Sequence, residues 1–155
     1  MATVNMDTLY LVQHGQAVDK DQNPERPLST LGRKETERVA ALAAALDLPI
    51  GAIWHSGKTR AKETAEIYGR ALQRDAIHAV DGLHPTDDVA PVANRVAELT
   101  ESVMLVGHLP FMERITGYLT AGNADATPVA FRNAGIVCLR QQDRQWQAAW
   151  QLNPL

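Results

Sequence analysis

Apolar positions along this chain follow two alternating rhythms. Short unbroken apolar runs mark strands covered on both faces, and they are separated by stretches in which apolar residues return every three or four positions, the spacing of a helix with one buried face. The first run, residues 8–13 (TLYLVQ), predicts a strand. A polar stretch with Pro24 and Pro27 follows and predicts a loop over 19–30. Val39, Leu42, Ala43 and Leu46 then recur at helical spacing, which predicts a helix over 31–46 that stops before Pro49. The same reading gives a strand at 50–54 and a helix at 58–73 through Ala61, Ala65, Tyr68 and Leu72. An edge-like strand at 76–80 and a helix at 88–100 with Val92, Val96 and Leu99 on one face come next. A strand at 103–106, a helix at 110–121 with Ile115 and Leu119 apolar, and a closing pair of strands at 134–140 and 145–151 complete the chain. Strands alternating with helices predict a three-layer α/β/α fold with a mostly parallel central sheet.

Composition narrows the setting. A chain of 155 residues suits one domain, 1–155, and a chain of that size buries about 68–70% of its unfolded surface. Hydrophobic content of 45% against 21% charged fits a soluble globular protein. The net charge of −3 points to neither a nucleic-acid nor a membrane partner. MATVNMD has no basic region followed by an apolar one, so no leader is expected and the chain reads as cytoplasmic. Cys138 is the only cysteine, which excludes an intrachain disulfide, and it reads as a buried strand residue.

The chemistry begins at the strand ends. LVQHG (11–15) and LVGH (105–108) each place a histidine after an apolar run. In open α/β sheets ligands bind beyond the carboxyl ends of the strands, and His14, His55 and His108 are all predicted there. A lone strand-end histidine ordinarily only bonds a neighbouring loop. Gly15, however, lets the backbone approach a ligand closely. A neutral His14 imidazole with one nitrogen hydrogen-bonded and the other free has the form of a nucleophile. In the loop, Pro27 stiffens the backbone beside Arg26, while Ser29 or Thr30 reads as a helix cap. HSGKTRAKETA (55–65) runs from a strand end into a helix, where unpaired N–H groups attract anions. Arg60 in the first turn adds a planar fork that matches phosphate oxygens. Lys62 reads as a solvated face, Lys58 partly so, and Ser56 as an N-cap.

Taken together, QHG at 13–15, RPLSTLG at 26–32, SGKTRAKETA at 56–65 and GHLPF at 107–111 resemble the histidine phosphatase superfamily. Their order and intervals are most similar to its short SixA-type phosphohistidine phosphatase branch. The resemblance spans roughly residues 8–150 and implies a phosphoglycerate-mutase-like fold with no metal or other cofactor. It implies that His14 is the nucleophile, phosphorylated in transit. It also implies that Arg60, His108 and Arg26 gather around the transferring phosphoryl group; Gly15, Gln13 and Lys58 are read as further phosphate contacts from their own positions beside His14 and Arg60. The partner implied is a protein carrying phosphohistidine. Phosphoryl transfer depends mainly on positioning and charge stabilisation, which suits these residue types.

The chain departs from the family at Gln13, where arginine is usual. Glutamine keeps two N–H donors and loses the charge. By analogy with deleting an oxyanion donor, that loss costs about 2.7–4 kcal/mol, or roughly 10²–10³ in rate. Lys58 is the candidate substitute charge. His84, Asp87 and Asp88 are candidate acids for the leaving group, although the aspartates also suit a helix cap before Pro91. A phosphohistidine substrate needs less acid help, because a protonated imidazole leaves easily. A small phosphoester is the alternative substrate. A catalytically weak module that binds phosphate or phosphohistidine is a reading of a different class. A metal site built from His14, His55, His84 and His108 is disfavoured by their spacing and by the arginines.

Overall fold

The computed structural model describes residues 6–155. Residues 1–5, within the stretch read as carrying no leader, lie outside the described residues. Ten elements follow in chain order. They are β1 (Thr8–Gln13), α1 (Thr30–Ala45), β2 (Ala52–His55), α2 (Thr59–Leu72), β3 (Ile77–Ala79), α3 (Ala90–Ala97), β4 (Val103–Gly107), α4 (Phe111–Ala121), β5 (Ile136–Gln142) and β6 (Gln145–Leu152).

The strands form one six-stranded sheet in the order β3-β2-β4-β1-β5-β6. The pairs β3–β2, β2–β4 and β4–β1 are parallel, whereas β5 runs antiparallel to β1 and to β6. Period-two alternation sends successive side chains to opposite faces. Leu9 and Leu11 of β1 therefore pack with Val92 and Val96 of α3 and with Met112 and Ile115 of α4. Tyr10 and Val12 pack on the other face with Val39 and Ala43 of α1 and Ala65 and Tyr68 of α2. This is the predicted three-layer α/β/α arrangement with a mostly parallel sheet. Cys138 is buried in β5, paired opposite Tyr10. The short strand β3 lies at the sheet edge as expected.

Three sequence-based expectations change. Leu42 and Leu46 are exposed, at 46% and 58%, although their spacing placed them on the buried face of α1. The buried stripe is instead Gly32, Thr36, Val39, Ala40 and Ala43, whose small side chains let α1 lie close to its neighbours. The second strand starts at Ala52, two residues later than its apolar run suggested, and takes in His55. Ser56 is not the N-cap of α2, since Lys58 holds that position without a side-chain bond. Ser29 does cap α1, its Oγ accepting from Gly32 N at 3.0 Å, a bond worth about 1 kcal/mol.

No described helix is long and apolar enough to cross a membrane. Among the described residues no group of three or more His, Cys, Asp or Glu side chains is placed to hold a metal ion.

Candidate active site

Inserting β4 between β1 and β2 determines which side chains meet. Gln13 pairs with Gly107 in the parallel register, so the residues that follow them, His14 and His108, leave the sheet side by side. His14 N donates to Gly107 O at 3.0 Å, and the two imidazole rings lie 4.9 Å apart, tilted by 53°. α2 starts just beyond the end of β2 and brings Lys58 and Arg60 over the same strand ends.

His14 is held on several sides. Its Nδ1 lies 2.7 Å from Gly15 O. A carbonyl oxygen can only accept, so Nδ1 carries the proton and Nε2 keeps a free lone pair. Arg60 Nε donates towards that nitrogen over 3.4 Å. Burial, opposed by the bond to Gly15 and reinforced by the charges of Arg60 and Arg26, holds the His14 pKa down at about 4. The ring is therefore neutral at pH 7. Asn133 Nδ2 donates to His14 O at 2.8 Å, and Gly15 N donates to Thr64 Oγ1 at 3.0 Å. A Cβ on Gly15 would lie 2.5 Å from Thr36 Oγ1, so only glycine fits there.

The cations around this ring are not neutralised. The two ion pairs among the described residues are Arg33–Glu63 and Arg114–Asp125, and neither involves Arg26, Lys58 or Arg60. Arg26 sits at φ 51°, in the left-handed region uncommon for a residue with a side chain. Its Nε donates to Val18 O at 3.1 Å. Burial first and the charge of Arg26 second lower the pKa of Arg60, which places the two guanidinium groups within each other's field. Glu63 in α2 ties the Arg26 loop down. Its Oε1 accepts from Leu28 N at 2.7 Å and its Oε2 from Arg33 at 3.1 Å.

His108 is almost wholly buried. Its Nε2 lies 2.7 Å from Ser56 Oγ, and its Nδ1 is buried without a partner. Burial, followed by the charges of His14, Arg60, Lys58 and His84, holds its pKa down at about 3.

The remaining candidates lie around this centre. Gln13 makes no hydrogen bond to the cations or histidines, and its Oε1 is buried and unpartnered. It lines an adjoining cavity of about 420 Å³ with Gln16, Leu109, Phe131, Arg132 and Asn133. His84 is exposed, yet near enough for its charge to act on His108. The Asp87 carboxylate turns into its own loop and accepts from His84 N at 2.9 Å, and Asp88 accepts from Ala90 N at 3.3 Å. His55 is buried and accepts from Gly57 N at 3.1 Å through Nδ1. Ser56, Glu63, Thr64 and Asn133 went unrecognised in the sequence as supports of the site, because their partners lie dozens of residues away.

Comparison with known proteins agrees with this fold. The histidine phosphatase superfamily (branch 1) matches residues 9–87. Phosphohistidine phosphatase SixA of Escherichia coli (strain K12) is 26% identical over 153 residues, 94% of this chain and 93% of that protein. A structure of the protein histidine phosphatase SixA complexed with tungstate aligns with a TM-score of 0.80 at 25% identity, covering 95% of this chain and 97% of the other. A SixA candidate from Agrobacterium tumefaciens aligns with a TM-score of 0.77 at 30% identity, covering 96% and 98%. With that family match over the strand-end histidine and the arginine-bearing helix, the chain belongs to branch 1 of the histidine phosphatase superfamily, as a phosphatase that resembles SixA.

Proposed function

We propose that this protein removes the phosphoryl group from phosphohistidine on a protein, through a phosphohistidine intermediate on His14. The observation that carries the reading is the unprotonated Nε2 of the neutral His14 ring, which meets Arg60, a cation with no acidic partner among the described residues. The Nε2 lone pair attacks phosphorus, and the bond from phosphorus to the substrate imidazole breaks. That imidazole, already protonated from solvent at its other nitrogen, keeps the bonding electrons and leaves as the neutral ring. Water then attacks the phosphorus on His14. Inorganic phosphate leaves with the water oxygen, the surplus proton goes to solvent, and Nε2 regains its lone pair. Arg60, Arg26 and Lys58 balance the phosphoryl charge, and His108 donates to one of its oxygens. Such donors are worth most where they are already in place before charge develops.

Two features favour phosphohistidine over an alkyl phosphate. No carboxylate among the described residues bonds to His14, His108, Arg26, Lys58 or Arg60, and the carboxylate of Asp87 serves its own loop. An alkoxide leaving group needs an acid, whereas a protonated imidazole does not. The SixA proteins of similar length and fold are named for this substrate or for protein histidine phosphatase activity. Incubation with a phosphohistidine protein and a panel of phosphoesters tests the proposal. Faster release from the phosphoramidate is expected, with acid-labile phosphate on His14. Release from a small phosphoester alone would overturn it.

Uncharged Gln13, with its unpartnered Oε1, favours a second reading, a phosphohistidine-binding module with little turnover. Tight binding of phosphohistidine without phosphorylation of His14 would establish that reading instead.

A further inference from the structure

The two buried side-chain polar atoms left unpartnered among the described residues are Gln13 Oε1 and His108 Nδ1, and they flank the same strand ends. The second of them has a complete local proton inventory. Ser56 Oγ contacts two groups, His108 Nε2 at 2.7 Å and Lys58 N at 3.3 Å. The Lys58 amide can only donate, so it uses an oxygen lone pair of Ser56. The hydroxyl hydrogen then has one acceptor in reach, His108 Nε2. His108 is neutral at pH 7 and carries a single ring proton. If that proton sat on Nε2, the Ser56 hydrogen would be stranded in a buried site, and a bare Nδ1 lone pair would face any phosphoryl oxygen. A buried donor left without an acceptor carries its full desolvation cost.

We infer that Ser56 is a positioning residue: its hydroxyl donates to Nε2 and fixes His108 as the tautomer protonated at Nδ1. The ring then has a donor ready for a phosphoryl oxygen. Both of its nitrogens are also withdrawn from nucleophilic attack, one by the proton and the other by Ser56. His14 is protonated at the same nitrogen, but its Nδ1–H is spent on Gly15 O, and its Nε2 meets only the longer contact from Arg60 at 3.4 Å. Two imidazoles 4.9 Å apart are thereby kept to different tasks, one accepting the phosphoryl group and the other holding it. The inference rests on the phosphoryl-transfer reading for its purpose, but not for its tautomer.

Nitrogen-15 NMR of histidine-labelled full-length protein at pH 7 decides it. The expected spectrum shows His108 protonated at Nδ1 and His14 also at Nδ1, with inorganic phosphate shifting the His108 Nδ1–H signal. Ser56→Ala should give a mixture of His108 tautomers, and Ser56→Thr should restore the single form. Kinetically, Ser56→Ala should lower kcat by about tenfold or more, short of the 10²–10³ expected for deleting a donor outright, with Ser56→Thr recovering most of the loss. A merely structural role would move the unfolding midpoint without moving the tautomer. A parent spectrum with the proton on Nε2 would overturn the inference even if Ser56→Ala fails to fold, and so would a Ser56→Ala protein that keeps the Nδ1–H form. If the tautomer is as inferred and no variant, nor the parent, phosphorylates His14, the failure belongs to the functional proposal.

Discussion

The ends of β1 and β4 carry nearly the same words, LVQH and LVGH, yet they are built differently. At β1 a backbone carbonyl, Gly15 O, accepts the histidine N–H and leaves the outer nitrogen unprotonated, facing Arg60. At β4 a side-chain hydroxyl, Ser56, meets the ring at the opposite nitrogen. His14 stays partly open towards Arg60, whereas His108 is almost wholly buried. A shared sequence phrase delivers two rings to one place. The partner on each ring, donor or acceptor, decides what that ring can do.

Four experiments strain that contrast, in order of expected effect. His14→Ala should reduce turnover by roughly 10⁴-fold or more, since on the proposed mechanism it removes the covalent route. Steady-state release of phosphate and acid-labile labelling measure this, and turnover near the parent's would end the distinction between the two rings. Arg60→Ala should cost about 10²–10³ in kcat/KM. It should also abolish most of the rise in melting temperature that phosphate or vanadate gives by binding the folded state. An unchanged shift would make Arg60 a bystander.

Gln13→Arg comes next. It restores a charged, bidentate donor beside His14 and should raise kcat/KM on a phosphoester by about tenfold. If Lys58 already supplies that charge, the gain shrinks, and Lys58→Ala then costs more in the parent than in Gln13→Arg, the non-additivity of groups sharing one ligand. Equal costs of Lys58→Ala in both backgrounds would show that the two residues do not share a ligand.

The last effect is on stability. His14 and His108 titrate near 4 and 3 in the folded protein, below the ordinary value of about 6.5 that they regain on unfolding. Below pH 6.5 the unfolded chain therefore binds more protons, so stability falls as pH drops from 7 towards 4 and on towards 3. His14→Ala removes one of these protons, and its melting temperature should fall less steeply between pH 6.5 and 4. Parallel melting curves for the two proteins would contradict the depressed pKa of His14.

Sequence made much of this legible, and its failures have physical causes. Unbroken apolar runs report strands buried on both faces, which is why β1 and β4 could be read with their histidines in place. Helical periodicity reports which residues recur, not how wide the buried stripe is. α1 packs through Gly32, Thr36 and alanines, so Leu42 and Leu46 matched the period and still face outwards. Ser56 looked like an N-cap because local spacing is all that a short motif shows. Its partner is 52 residues away and reaches it only because β4 inserts beside β2. Asn133, 119 residues from His14, gave no local signal at all.

Glu63 has a consequence that concerns selectivity. By holding Leu28 N and Arg33 at once, it fastens the stretch that bears Arg26 to the helix that bears Arg60. The repulsion between those two guanidinium groups is thus met during folding, before any anion arrives, and little rearrangement remains for the moment of encounter. Induced-fit enzymes reject wrong partners by closing only on the right one. A receptor whose cations are pre-assembled gives up that filter. Discrimination then falls to whatever meets the carrier outside the charged centre, where Leu109 and Arg132 stand exposed beside Gln13.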